Sequence, residues 1–261
     1  MPSSDTTAGF AREIHVTVEP RRAIGELVDD FHHFRATIEH DGRTITSVTG
    51  EALRIPWETC GGSVEPLRGL VGAPLKGSIR EVARLAPAKL QCTHLYDAAC
   101  VAAARAGRGA ASTVYRAIVP DRVDGKTRAT LHRDGELLLE WDLDGYGIAG
   151  PAPFADQVLV GGNFAAWAES TFEAEISEGV LLLNRACIIA SGRRIDLDDA
   201  PRAIDVPGTS LGVCHTYSAA HGERSHRIVG SARNIAPADD ARRASLNPTP
   251  ADIQHFHKRP R

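Results

Sequence analysis

Two cysteines and two histidines stand in an order that can carry chemistry. His32 and Cys60 precede the stretch Gln91-Cys92-Thr93-His94-Leu95-Tyr96-Asp97, which adds Cys92 and His94. Thiolates and imidazoles together suit zinc or iron, whereas magnesium and calcium prefer oxygen ligands. Three protein ligands plus water would give a Lewis acid or a metal hydroxide; four would close the site and make it structural. The same side chains also fit a thiol enzyme. Cys92 would be its nucleophile, with its pKa lowered by a helix start, His32 or His94 its base and Asp97 the orienter of that base. Cys60-Gly61-Gly62 would then offer backbone donors to an oxyanion.

The elements that must position these residues follow from local patterns. A helix is expected from about His94 to Ala106, capped by Thr93 and stopped by Gly107, with Leu95, Ala98, Ala99, Ala102 and Ala106 as its apolar stripe. Asp97 follows His94 by one turn and can accept from its ring N–H and fix its tautomer. Upstream, Arg12 to Val18 alternates as a strand, which Pro20 ends. Leu27 to Ile38 then reads as the first strand of a long hairpin turning at Asp41-Gly42, a type I′ signal. In that strand His32 shares the apolar face with Phe34, Ala36 and Ile38, and Asp29 and Asp30 are candidates for an acid or base. The return strand runs from about Arg43 to Ile55 with a bulge at Gly50, so Trp57 to Cys60 emerges at the same end as His32.

Short helices are expected at Ser63 to Val71 and Ser78 to Leu85. The second half reads as a meander of strands near Thr113 to Val119, Thr127 to Arg133 and Glu136 to Asp142, turning at Asp134-Gly135, followed by helices near Asn163 to Ser170 and Phe172 to Ala190. Cys187 reads as filler in a core helix. Cys214-His215 is adjacent rather than at ligand spacing and is expected outside the site. The fold class is therefore α+β, antiparallel hairpin and meander sheets packed by helices in two lobes: residues 11–112 with the Cys/His site, residues 113–236, and a polar, mobile tail over 237–261.

Composition excludes several classes. A chain of 261 residues with 43% hydrophobic content can bury a substantial core, and its net charge of −3 gives no overall basic footprint for nucleic acid. No apolar run approaches the ~20 residues of a membrane helix, and Met1 to Phe10 lacks the apolar centre of a signal peptide. No membrane and no nucleic-acid partner is expected, the location is cytoplasmic, and homo-oligomerisation stays open. The five cysteines, at 60, 92, 100, 187 and 214, include no CxxC pair, so reduced thiols are expected rather than a disulfide framework.

The run Gln91-Cys92-Thr93-His94-Leu95, with Asp29-Asp30-Phe31-His32-His33 and Pro56-Trp57-Glu58-Thr59-Cys60 before it, resembles a bacterial domain-of-unknown-function family. In that family a histidine before a strand, a Pro-aromatic-x-x-Cys element and a (Gly/Gln)-Cys-Thr-His-Leu element occur in this order. The likeness spans about Arg12 to Ala200. The matching positions are His32, Cys60, Cys92 and His94, and the resemblance brings no reaction with it. The amino-terminal lobe is also similar in architecture to the iron-sulfur scaffold fold, but lacks that fold's three-cysteine set and acidic-Gly strand entry. The expected function is a zinc- or iron-dependent enzyme, of lyase or hydrolase type, acting on a small organic molecule in bacterial catabolism. Its metal ligands would come from His32, Cys60, Cys92 and His94. The alternatives are the Cys92 thiol enzyme and a metal or iron-sulfur binding module without catalysis.

Overall fold

The computed structural model describes residues 8–161, 163–208 and 212–235; the expected tail over 237–261 lies outside the described residues. Eight antiparallel strands form one sheet: β1 (Gly9–Glu19), β2 (Arg22–Asp29), β3 (His33–His40), β4 (Ile45–Arg54), β5 (Thr113–Pro120), β6 (Lys126–Arg133), β7 (Glu136–Asp144) and β8 (Gly147–Gly150). Their order is β4-β3-β2-β1-β5-β6-β7-β8. The fold class is α+β. The expected boundary near residue 112 falls between α2 (Thr93–Arg108) and β5, yet β1 pairs with β5 from Gly9↔Pro120 to Val16↔Thr113. The sheets expected for the two lobes are thus one sheet, because β1 offers a hydrogen-bonding edge to each half.

Period-2 alternation decides the faces. Tyr115, Ile14, Leu27, Phe34 and Ala52 are successive cross-strand partners, all buried, and face the helices. The opposite face carries a polar row in which Glu26 accepts from His33 Nε2 at 2.6 Å and Arg35 Nε at 3.0 Å. The His33 hydrogen bond, opposed by partial burial and aided by Arg35, lowers Glu26 from an ordinary 4.5 to about 2. A depressed carboxylate adds stability above its unfolded pKa and loses it as pH falls through the folded one. Denaturant midpoints of the wild type should therefore fall more steeply between pH 4.5 and about 2 than those of Glu26→Gln. Parallel acid limbs would contradict this assignment.

α2 and α4 (Ala174–Ala190) lie side by side on the other face, tied by ion pairs of Arg105 with Glu178 (3.1 Å) and of Arg185 with Asp97 (3.1 Å). α2 is buried nearly all round, which its alanines allow. It approaches β2 so closely that a Cβ on Gly25 would lie 2.2 Å from the Ala98 carbonyl oxygen. Gly25→Ala must push strand and helix apart, and should cost about 2–3 kcal/mol in urea denaturation. α2 ends at Gly109, whose φ of 62° closes the helix while Ala110 N–H donates to Arg105 O. The expected stop, Gly107, instead serves a close approach: a Cβ there would lie 2.3 Å from Lys76 O.

The smaller expectations divide. Asp134 and Gly135 both have positive φ (53° and 90°), as a type I′ turn requires, but at Asp41-Gly42 only Gly42 does. There the Asp41 carboxylate accepts from the N–H groups of Arg43 and Thr44 and makes a longer turn. The first helix after β4 is a 3-10 stretch, Glu58–Leu70, interrupted by Pro66. α1 (Ile79–Ala83) is capped by Ser78, and α3 (Phe164–Thr171) precedes α4. Irregularities in the β3–β4 pairing lie at His33/Phe34 and Glu39/His40, not at Gly50.

Candidate functional site

The expected first hairpin strand is broken, and the break creates the site. β2 ends at Asp29 and β3 begins at His33, so His32 belongs to a tight turn rather than to a strand face. Asp29 makes that turn. Its Oδ1 accepts from Phe31 N, His32 N and His32 Nδ1, each at 2.9 Å, while Oδ2 accepts from Arg12 Nη2 at 2.7 Å and Nε at 3.2 Å. The Arg54 guanidinium holds the turn from outside by donating to the carbonyls of Asp29, Asp30 and His32.

These bonds fix the state of His32. Burial alone would raise the Asp29 pKa, but His32 and Arg12 hold it well below the carboxylate range. Burial lowers the His32 pKa against the pull of Asp29, so the imidazole is neutral, its Nδ1–H donates to the carboxylate, and its Nε2 keeps a free lone pair. Asp29, expected as an acid or base, has both carboxylate oxygens engaged by Arg12 and the His32 turn. Asp30 is pushed up to about 6 by burial, against the hydrogen bond from Arg193. Arg193 and the Ile235 N–H engage its two carboxylate oxygens, and it does not line the cavity described below.

His94 stacks on His32, with ring centroids 3.6 Å apart and planes at 19°. Its Nδ1 lies 3.8 Å from Cys92 Sγ, and its Nε2 lies 4.0 Å from Asp29 Oδ2, buried and without a hydrogen-bond partner. Burial first, then the neighbouring His32 and Arg12, lower its pKa well below the ordinary value. Asp97 does not orient it. That carboxylate pairs with Arg185 of α4 at 3.1 Å and lies 3.8 Å from Arg12 of β1. Cys92 is the residue that caps α2, but its thiol pKa rises well above the ordinary value: burial outweighs the backbone donors of the helix start. The activated thiolate expected at the helix start is not favoured there.

Cys60 stands in the 3-10 stretch with Sγ 3.2 Å from Thr216 Oγ1, and burial pushes its pKa up to about 12. The surprise is Cys214. His215 N donates to Gln91 O at 2.9 Å, which pins the Cys214 segment beside Cys92. Cys60, Cys92 and Cys214 line one cavity of about 260 Å³ together with His32 and His94. All four expected ligands thus meet at one space, and a fifth donor joins them from the second half of the chain. Long-range contacts of His215 with Gln91 and of Thr216 with Thr59 and Cys60 bring Cys214 there, and no local spacing signals it.

Residues 11–107 match the family model described as protein of unknown function (DUF2889). The matched segment carries His32, Cys60, Cys92 and His94, and it ends at Gly107 rather than extending to Ala200. No curated protein and no solved structure matches the chain, so the likeness to the iron-sulfur scaffold fold finds no support. Cys214 and much of the apolar cavity wall lie beyond the DUF2889 segment. Among the described residues, no helix is long and apolar enough to cross a membrane.

Among the described residues, only Asp29, His32 and His94 bring three donor atoms within 4.8 Å of one another. Asp29 is already saturated by Arg12 and His32, so an ion there would have to break a buried ion pair. The softer donors, the three thiols and the imidazole nitrogens facing away from Asp29, stand further apart around the cavity.

Proposed function

We propose that the cavity is a transition-metal site, zinc or iron, in an enzyme acting on a small organic molecule by lyase or hydrolase chemistry. The observation that carries this reading is the gathering of three thiols and two imidazoles around one cavity, when a thiol mechanism needs one of each. Asp29 beneath His32 Nδ1 is the usual outer partner of a metal-binding imidazole: it leaves Nε2 as the ligating atom and keeps the ring from turning. The thiols are held protonated by burial, and their deprotonation would accompany ligation. A bound ion would supply Lewis acidity or a water acidified toward neutral pH. The protein's own part is to orient His32, to seat Cys92 at the head of a rigid helix, and to keep water out with apolar walls.

Elemental mass spectrometry of protein purified under reducing conditions tests this. Near-stoichiometric zinc or iron is expected, and it should be lost in Cys92→Ser and in His32→Ala variants that circular dichroism shows to be folded. Absence of metal even after anaerobic reconstitution would sink the reading. The contact of Cys92 Sγ with His94 Nδ1 at 3.8 Å favours the thiol alternative in that case. Selective alkylation of Cys92, abolished by His94→Ala, would then identify it.

A further inference from the structure

The cavity walls restrict what can enter. Among its described lining residues none carries a formal charge. One end presents the thiols and imidazoles with the Thr216 hydroxyl; the body is walled by Phe31, Trp57, Ile188, Ile189, Leu197 and Val206. Two cations near these walls already have carboxylate partners. Arg12 and Asp29 pair at 2.7 Å, and Arg227 pairs with Asp198 at 2.8 Å while lying over the Trp57 ring. A carboxylate or ammonium entering the cavity would lose its water and meet no charged side chain in the lining, which costs affinity.

From this we infer that the ligand is an uncharged molecule of about one ring, with a single oxygen or sulfur donor as its head. The head faces Cys92, His94 and Thr216, and the hydrocarbon body lies between Phe31, Trp57 and the end of α4. The volume of about 260 Å³ sits just under the usual range of small-molecule pockets, about 300–1,000 Å³, and suits a body of about one ring. The inference rests on the cavity being the substrate site but not on the presence of metal, since the walls themselves reject charge.

Three probes of one shape separate these terms: benzyl alcohol, benzoate and benzylamine, titrated calorimetrically into the full chain at neutral pH. Metal content is recorded for each sample, and a chelator-treated sample is run in parallel. Benzyl alcohol should bind saturably, with benzoate and benzylamine weaker by about tenfold or more. A Cβ added at Gly192, a lining residue, meets only the Phe31 ring of the same cavity, at 3.5 Å. Gly192→Leu should therefore abolish benzyl alcohol binding at unchanged metal content, and Val206→Phe does the same should the first variant fail to fold. The order of preference should persist after chelation. Protein that is purified without metal, takes none up on anaerobic reconstitution and still prefers the neutral probe removes the metal reading and keeps this one. Equal or tighter binding of either charged probe, binding indifferent to both filling variants, or no saturable binding of benzyl alcohol overturns it.

Discussion

Asp29→Ala is expected to cost about 3–5 kcal/mol, the usual consequence of removing one partner of a buried ion pair. The carboxylate is fully buried, and its loss strands the Arg12 guanidinium, itself 2% exposed, together with the N–H groups of Phe31 and His32. Domains are stable by only about 5–15 kcal/mol, so a large share of the total would go with one side chain. Asp29→Asn keeps an acceptor for the turn but removes the charge, and should fall between alanine and wild type. The double variant Arg12→Met, Asp29→Leu should recover much of the loss, because an apolar pair of similar volume leaves no buried charge behind. Urea denaturation measures all three. If Asp29→Ala loses less than about 1 kcal/mol, the pair is not the keystone of the turn, and the positioning of His32 must come from Arg54.

Glu178→Ala should be comparably severe, at about 3–5 kcal/mol, and for a reason remote from the cavity. Glu178 is 1% exposed on α4. Its Oε1 accepts from Arg105 Nη1 at 3.1 Å and from the Tyr115 hydroxyl at 2.6 Å, and its Oε2 accepts from Arg108 Nη2 at 2.6 Å. One carboxylate thus joins both central helices to the sheet, and without it two guanidiniums face each other in the interior. Arg105 is almost wholly buried, whereas Arg108 is partly exposed and can turn toward water. Arg108→Ala alone should therefore cost much less than Glu178→Ala. Adding it to Glu178→Ala should relieve part of the damage, a non-additivity that a double-mutant cycle reads directly. Strict additivity would mean that the three groups do not act as one network.

Local rules reached α2, most strands and the meander because those elements obey the 3.6 and 2 periods over many residues. They failed where a side chain, not the backbone pattern, makes the structure. The turn between β2 and β3 contains no Gly, Pro or Asn; Asp29 forms it by capturing two backbone N–H groups, so the stretch looked like uninterrupted strand. The carboxylate that serves an imidazole was sought three residues after His94 and was found three residues before His32. The spacing at Asp97 is equally good, but Arg12 and Arg185 decide the outcome there, and neither is near it in sequence. Burial likewise overrode the helix start at Cys92. Cys214 was out of reach for the same reason: its neighbour His215 bonds to Gln91, a pairing that no window on the chain contains.

The β1–β5 seam has a consequence for how such a protein can change over time. Its two sides hold different assets: the segment 11–107 contributes four of the five soft donors, and the chain beyond it contributes the fifth, Cys214, with the walls from Ile188 to Tyr217. Under the proposed function, substitutions at wall positions such as Ile188, Leu197 and Val206 would reshape the ligand space while His32, Cys60, Cys92 and His94 stay where they are, as long as the Glu178 network that holds α2 is kept.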